Sequence, residues 1–264
     1  MRRPRPVTTM ETPGRRRARK DDFMPHSSPR IRGFAASAAF LMCAALQPTG
    51  VSYGLDAWAR QETAVGIPRT PLPTKDEVKT MLATLDDVNY TPSEKYKRKY
   101  FKHWVKDPAT GCTTRQLVLK RDAMAGKWNP TNCSKEEYVK PDGTRVVPWW
   151  FGVYDGKYLK KSDVDIDHVV TLENAWKTGA SEWTSQRREQ FANDRTASHQ
   201  LVSVSAPSNR SKSRKAPDEW MPTLPSFRCN YVKMWVTVKS AWNLMVARTE
   251  RAALVKALDE KTCR

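Results

Sequence analysis

Ser162-Asp163-Val164-Asp165-Ile166-Asp167-His168-Val169-Val170-Thr171-Leu172 carries an acid at every second position and a histidine directly after the third. Alternation with period two reads as a β-strand. Strand side chains alternate between faces, so Asp163, Asp165 and Asp167 share one face and His168 takes the other. Adjacent Asp and His at a strand end supply an oxygen ligand for a divalent cation and a neutral imidazole able to take a proton. Farther along, Ser208-Asn209-Arg210-Ser211-Lys212 is polar and basic and reads as helical. An amide oxygen there could complete a metal site.

Working outward, Gln200–Val204 reads as a second strand, and Ser205-Ala206-Pro207 opens the helix that carries Asn209. Proline at an early helix position loses no hydrogen bond. Between the strands, Ser181–Asn193 reads as a helix capped by Ser or Thr, with Trp183, Arg187 and Phe191 as a packing stripe. The order is strand, strand, helix, with a helical insertion after the first strand.

The ordered set Asp165-Ile166-Asp167-His168-Val169-Val170, Ala175-Trp176, Gly179-Ala180, Trp183, Arg188, Phe191-Ala192-Asn193-Asp194 and Asn209-Arg210-Ser211-Lys212 resembles the secreted HNH-type family DUF1524. That family is related to the C-terminal domain of GmrSD restriction enzymes and to the His-Me finger (ββα-metal) nucleases. The similarity runs from about Tyr96 to Cys263. It implies an α+β fold, a ββα-metal core elaborated with β-hairpins and C-terminal helices.

The resemblance also implies roles. His168 is the general base. Asp167 and Asn209 hold Mg²⁺, Mn²⁺ or another divalent cation, and Asp165 orients a ligand. Lys212, one turn after Asn209, joins the catalytic set and meets phosphate or metal-bound water; Arg210 also faces nucleic acid. The family usually has Asn nine residues before Asn209, where it fixes the histidine loop. Here that position is Gln200, which offers the same amide on a longer arm. His199 beside it is either a second imidazole or a surface histidine. Gly111-Cys112-Thr113-Thr114-Arg115 and Arg121-Asp122 match a further family block. Arg115 and Arg121 either contact phosphate or lie buried against Asp122.

The formal charge is +18 over 264 residues. Residues 1–59 hold ten Lys/Arg and four Asp/Glu, which leaves 36 basic and 24 acidic residues and a surplus of +12 in the remainder. Such a field attracts polyanions, although it also serves solubility alone.

Residues 1–59 read as a basic extension followed by a signal peptide. Arg30 and Arg32 precede the apolar run Gly33–Leu46, which is short for a membrane span, and Ala57-Trp58-Ala59 has a small-x-small cleavage pattern. Met24 is an alternative start; a signal anchor or an organelle-targeting segment is an alternative fate. Residues 60–95 read as a linker and one helix, opened by the capping-box pattern Thr74-Lys75-Asp76-Glu77. Residues 96–264 form the HNH-like domain. Pro141-Asp142-Gly143-Thr144 and Asp155-Gly156 mark two hairpins between apolar runs. Trp149, Trp150 and Phe151 read as core, with base stacking the alternative. Tyr231, Trp235, Val238, Trp242 and Met245 follow a helical period, and a last helix from near Thr249 turns Leu254 and Leu258 inward.

With Cys43 inside the apolar run, Cys112, Cys133, Cys229 and Cys263 remain. An even count behind a signal peptide implies two disulfides, with three possible connectivities. The resemblance and the order along the chain favour Cys112–Cys133 and Cys229–Cys263. No Cys-x-x-Cys spacing supports zinc.

These readings converge on a secreted, metal-dependent endonuclease acting on DNA, with RNA left open. Its specificity is low, since phosphate contacts carry no sequence information. It is a monomer without stable membrane association once processed. The rival is a cationic secreted binding or effector protein that keeps the fold without turnover.

Overall fold

The computed structural model describes residues 71–124, 133, 138–139, 142–195 and 199–263. The signal-peptide reading and the linker up to residue 70 lie outside the described residues. Among the described residues, seven α-helices accompany three two-stranded antiparallel sheets, so the class is α+β.

Strand β5 (Val164–His168) pairs with β6 (Leu201–Ser205), with Ile166 opposite Ser203, Asp167 opposite Val202 and His168 opposite Leu201. Helix α5 (Ala206–Lys212) follows β6 directly; the Ser205 hydroxyl caps it and Pro207 sits in its first turn. The sequence placed Asp163 on the strand, and the structure corrects this. Asp163 closes a 3-10 turn (Lys161–Asp163). Val164 already pairs with Ser205, the last residue of β6. Beyond it the chain turns into α5, so Asp163 has no strand to pair with.

One face of β5–β6 sends Val164, Ile166 and Leu201 into a small core with Val118, Leu119 and Trp150. These come from α2 (Thr114–Asp122) and β3 (Trp150–Gly152), which pairs with β4 (Lys157–Leu159). The other face sends Val202 and Val204 into the larger core. The remaining hairpin pairs β1 (Tyr138–Val139) with β2 (Arg145–Val146).

The insertion holds α3 (Leu172–Lys177) and α4 (Ser185–Ala192). Helix α4 starts later than the expected Ser181, because Trp183 is extended and the Thr184 side chain caps the helix. Arg187 lies over the Trp183 ring at 4.5 Å. The tail forms α6 (Pro225–Trp242) and α7 (Arg248–Asp259). Met245 falls outside the helical period it was given, because Asn243 takes a left-handed cap that ends α6. Helix α1 (Lys75–Thr84) has the expected capping box on Thr74 and Glu77. Its Val78 and Leu82 share the large core with Leu254 and Leu258 of α7. No helix among the described residues is long and apolar enough to cross a membrane.

The structure joins Cys112 to Cys133 and Cys229 to Cys263, across 21 and 34 residues. The second clasps α6 to the segment after α7. Peptide mapping without reductant is expected to recover both pairs, each stabilising by about 2–4 kcal/mol through its effect on the unfolded chain. Free thiols at these positions in the folded protein would contradict the assignment.

Candidate active site

The end of β5 and the second half of α5 line a cleft of ≈ 270 Å³, to which Asp167, His168, Asn209 and Arg210 contribute. His168 is buried and its Nε2 lies 2.9 Å from the Ala192 carbonyl oxygen. A carbonyl only accepts, so Nε2 carries the proton and Nδ1 keeps its lone pair. Burial pushes His168 down to about 3, opposed by the Ala192 bond and aided by the charges on Arg98, His103 and Lys212. The imidazole is therefore neutral at ordinary pH. Trp104 packs against it at 5.6 Å and His103 at 6.3 Å between ring centres.

Asn209 Nδ2 donates to Asp165 Oδ2 at 3.1 Å. An ionised carboxylate offers only acceptors, so the amide must turn this way, and Asn209 Oδ1 is left as the free donor atom for a cation. Asp165 thus orients the Asn209 amide. Asp167 is held more tightly. Its Oδ2 accepts from the Tyr154 hydroxyl at 2.7 Å and lies 2.7 Å from Lys212 Nζ. Lys212 Nζ also donates to the His168 carbonyl at 2.9 Å. Burial pushes the Asp167 carboxyl up and the Lys212 ammonium down, and their contact opposes both shifts. Burial and the adjacent Asp167 charge keep the Tyr154 phenol well above its ordinary range, so it stays a donor.

Lys212 does not stand where the sequence reading put it. It is fully buried, and its helix face looks at the end of β5, where a carboxylate and a carbonyl accept its protons. It supports the site from inside and presents no surface to phosphate. Arg121 is likewise buried; it makes two contacts with Asp122 and donates to the Leu201 and Arg195 carbonyls. Of its two readings the internal one holds, and the pair ties α2 to β6. Arg115 is half-buried and donates to the Val164 carbonyl at 3.0 Å, away from the residues lining the cleft. The exposed arginines at the cleft are Arg98, Arg210 and Arg214. Only Arg210 was anticipated.

Gln200 is fully buried and grips the backbone two residues past His168. Its Nε2 donates to the Val170 carbonyl at 2.8 Å, and its Oε1 accepts the Val170 N–H at 3.0 Å. It is a positioning residue. Removing it leaves two buried backbone groups without partners, at about 1–3 kcal/mol each. Gln200→Ala is expected to lower the urea midpoint accordingly; an unchanged midpoint would show that the clamp is dispensable. His199 is buried, not a surface histidine, and does not line the cleft.

Backbone strain gathers here. Trp104 (φ 61°), His199 (φ 57°) and Ser213 (φ 52°) are non-glycine residues in the left-handed region. The first packs on His168, the second precedes Gln200 and the third lines the cleft. Strained conformations persist where surrounding structure over-determines them, as at working sites.

The family described as GmrSD restriction endonucleases, C-terminal domain, matches residues 79–257. The chain belongs to this family. The GmrSD C-terminal match begins inside α1 and ends inside α7, so it spans every cleft residue named above. It places the chain among nuclease-related domains. An uncharacterized secreted protein of Arthroderma benhamiae is 38% identical over 205 residues, covering 76% of this chain and 92% of the relative. The relative's printed name and the two disulfides are consistent with an extracellular protein. No solved structure matches.

Tyr154, His103, Trp104, Arg98 and Arg214 were not read as site residues. Tyr154 sits in a hairpin run that reads as core, and nothing in its spacing separates it from Phe151. Arg214 lies beyond the left-handed Ser213 that ends α5, so helical spacing does not reach it.

Proposed function

We propose that this chain is a secreted, metal-dependent endonuclease of the HNH (His-Me finger) type that hydrolyses DNA phosphodiesters with low sequence specificity, RNA being left open. One observation carries the reading: a neutral His168 with its Nδ1 lone pair available stands beside Asp167 and Asn209 in a cleft rimmed by Arg98, Arg210 and Arg214.

The residues suit a hard cation. Asp167 and Asn209 offer oxygen donors, and among the described residues no group of three or more His, Cys, Asp or Glu gathers into a metal cage. Such a sparse set fits Mg²⁺, which keeps most of its waters, better than Zn²⁺. When bound, the cation supplies Lewis-acid stabilisation of the phosphoryl and leaving oxygens. The chain's residues do the rest. His168 Nδ1 takes a proton from water as the water oxygen bonds to phosphorus and the ester P–O bond breaks. The Ala192 carbonyl holds the imidazole in the tautomer this requires. Asp165 and Gln200 fix the two ends of the site. The arginines draw the phosphate in by charge, which makes binding salt-dependent.

A second reading, a cationic binding protein without turnover, has one observation in its favour: Lys212 already engages one oxygen of Asp167. Plasmid and RNA degradation by the purified protein decides between the two. Cleavage with Mg²⁺ or Mn²⁺ that EDTA abolishes supports the nuclease. Binding without cleavage across both cations supports the second reading.

A further inference from the structure

Arg98 and Arg214 at the cleft rim are held by opposite means. Arg214 bonds Glu173 at 3.2 Å, and Lys177 lies 2.8 Å from the same carboxylate. Arg98 is held by an imidazole. His103 Nδ1 lies 2.8 Å from the Phe101 carbonyl oxygen. A carbonyl only accepts, so Nδ1 carries the proton and Nε2 presents a lone pair. Arg98 Nη2 donates to it at 3.4 Å. At that length the bond aims the guanidinium more than it binds it. A second neighbour, the Tyr96 phenol, is raised by burial and drawn back by the Arg98 charge. Among the described residues no carboxylate pairs with Arg98. Its charge is positioned without being neutralised.

The segment that carries Arg98 and His103 is pinned to the end of α4. Phe101 is fully buried against Trp176 and Phe191. Arg188 donates to the Tyr100 carbonyl at 3.2 Å. Asn193 grips the Lys102 carbonyl at 2.9 Å and the Val105 N–H at 3.1 Å. The residue before it, Ala192, supplies the carbonyl that fixes His168. One helix end therefore sets the base and the arginine in a common frame. Electrostatics agree with this placement. Burial lowers His168 most, and among the charges that lower it further Arg98 stands ahead of His103 and Lys212. Arg98 and His168 line the same cleft.

We propose that Arg98 contacts the phosphate under attack and stabilises the charge that gathers on its non-bridging oxygens, with His103 as the positioning residue that aims the guanidinium. The proposal rests on the nuclease reading of the cleft. A donor fixed in advance meets developing charge without reorganising. The planar fork of a guanidinium can engage two phosphate oxygens at once, and the N–H given to His103 leaves the rest of the fork for them. Arg214, tied to Glu173, adds to the general field instead.

Cleavage of a defined DNA duplex with Mg²⁺, and binding of the same duplex in EDTA, test the two roles. Arg98→Ala is expected to lower kcat about 10²–10³-fold, the scale of one lost charge-stabilising donor, and to reduce the salt slope of binding by about one. Lys99→Ala removes the same charge one residue away, at an exposed position outside the cleft lining, and should leave kcat unchanged. His103→Leu should lower kcat about tenfold, within the range of coupling between neighbouring side chains. His103→Gln, of similar size but with an acceptor to offer Arg98, should recover most of that loss. Adding His103→Leu to Arg98→Ala should cost nothing further, because the side chain it aims is gone. Wild-type kcat in Arg98→Ala, or an equal loss in Lys99→Ala, overturns the role of Arg98. Equal kcat in His103→Leu and His103→Gln, or a further loss in the double variant, overturns that of His103. Failure of the nuclease reading is seen separately: the wild type leaves the duplex intact with Mg²⁺ or Mn²⁺ while Arg98→Ala still reduces the salt slope. An unchanged slope there overturns the phosphate contact as well.

Discussion

His168→Ala is expected to cleave about 10²–10⁴-fold more slowly than the wild type, the usual contribution of a positioned general base, while binding oligonucleotide equally well. The expectation follows from the hydrogen bond to Ala192, which makes Nδ1 the only ring atom able to take a proton. Raising Mg²⁺ or Mn²⁺ should not restore the rate, because a missing base is not a missing ligand. Asp167→Ala should differ, recovering partly at high cation concentration. His199→Ala is the control for cleavage: that ring does not line the cleft. A His168→Ala protein that cleaves plasmid at the wild-type rate would remove His168 from the chemistry.

Lys212→Ala is expected to be the most destabilising change at the site. The ammonium has no exposed surface and lies 2.7 Å from Asp167. Removing one partner of a buried ion pair typically destabilises by about 3–5 kcal/mol, because the other charge is stranded. Combining Asp167→Asn with Lys212→Met removes both charges and should recover much of that loss without recovering cleavage. Equilibrium urea denaturation measures both variants. If Lys212→Ala unfolds at the wild-type midpoint and weakens DNA binding instead, the side chain faces solvent and phosphate after all.

The local rules of the chain were readable. Period-two alternation located β5, the Thr74–Glu77 box located α1, and Asp-Gly turns located the hairpins, because each depends on residues close in sequence. Side-chain destinations were not readable to the same degree. Lys212 and Arg210 sit on one short basic helix, and spacing alone does not say which of them meets a carboxylate beneath the helix. Arg121 posed the same problem, and only the position of the β6 backbone decides it. Asp163 left the strand for a reason located at the far end of β6. Tyr154 reached Asp167 through the fold of a hairpin, and Arg98 reaches the cleft from a segment without periodicity. Motifs gave the atoms of the cleft; its electrostatics came from tertiary packing.

Asp167 leans on a support that is assembled late. Tyr154 holds it, Tyr231 of α6 packs edge-on against Tyr154 with ring centres 5.6 Å apart, and Cys229 of α6 is tied to Cys263. That bond forms only after residue 263 has left the ribosome and met an oxidant. On the proposed nuclease reading, this gives a cell making the chain a margin of safety: in its reducing interior the tail is unclasped and the wall behind Asp167 is less firmly backed. Comparing reduced and oxidised protein on the same nucleic acid would measure how far its own genome is spared, with equal activity showing that the clasp gives no such protection.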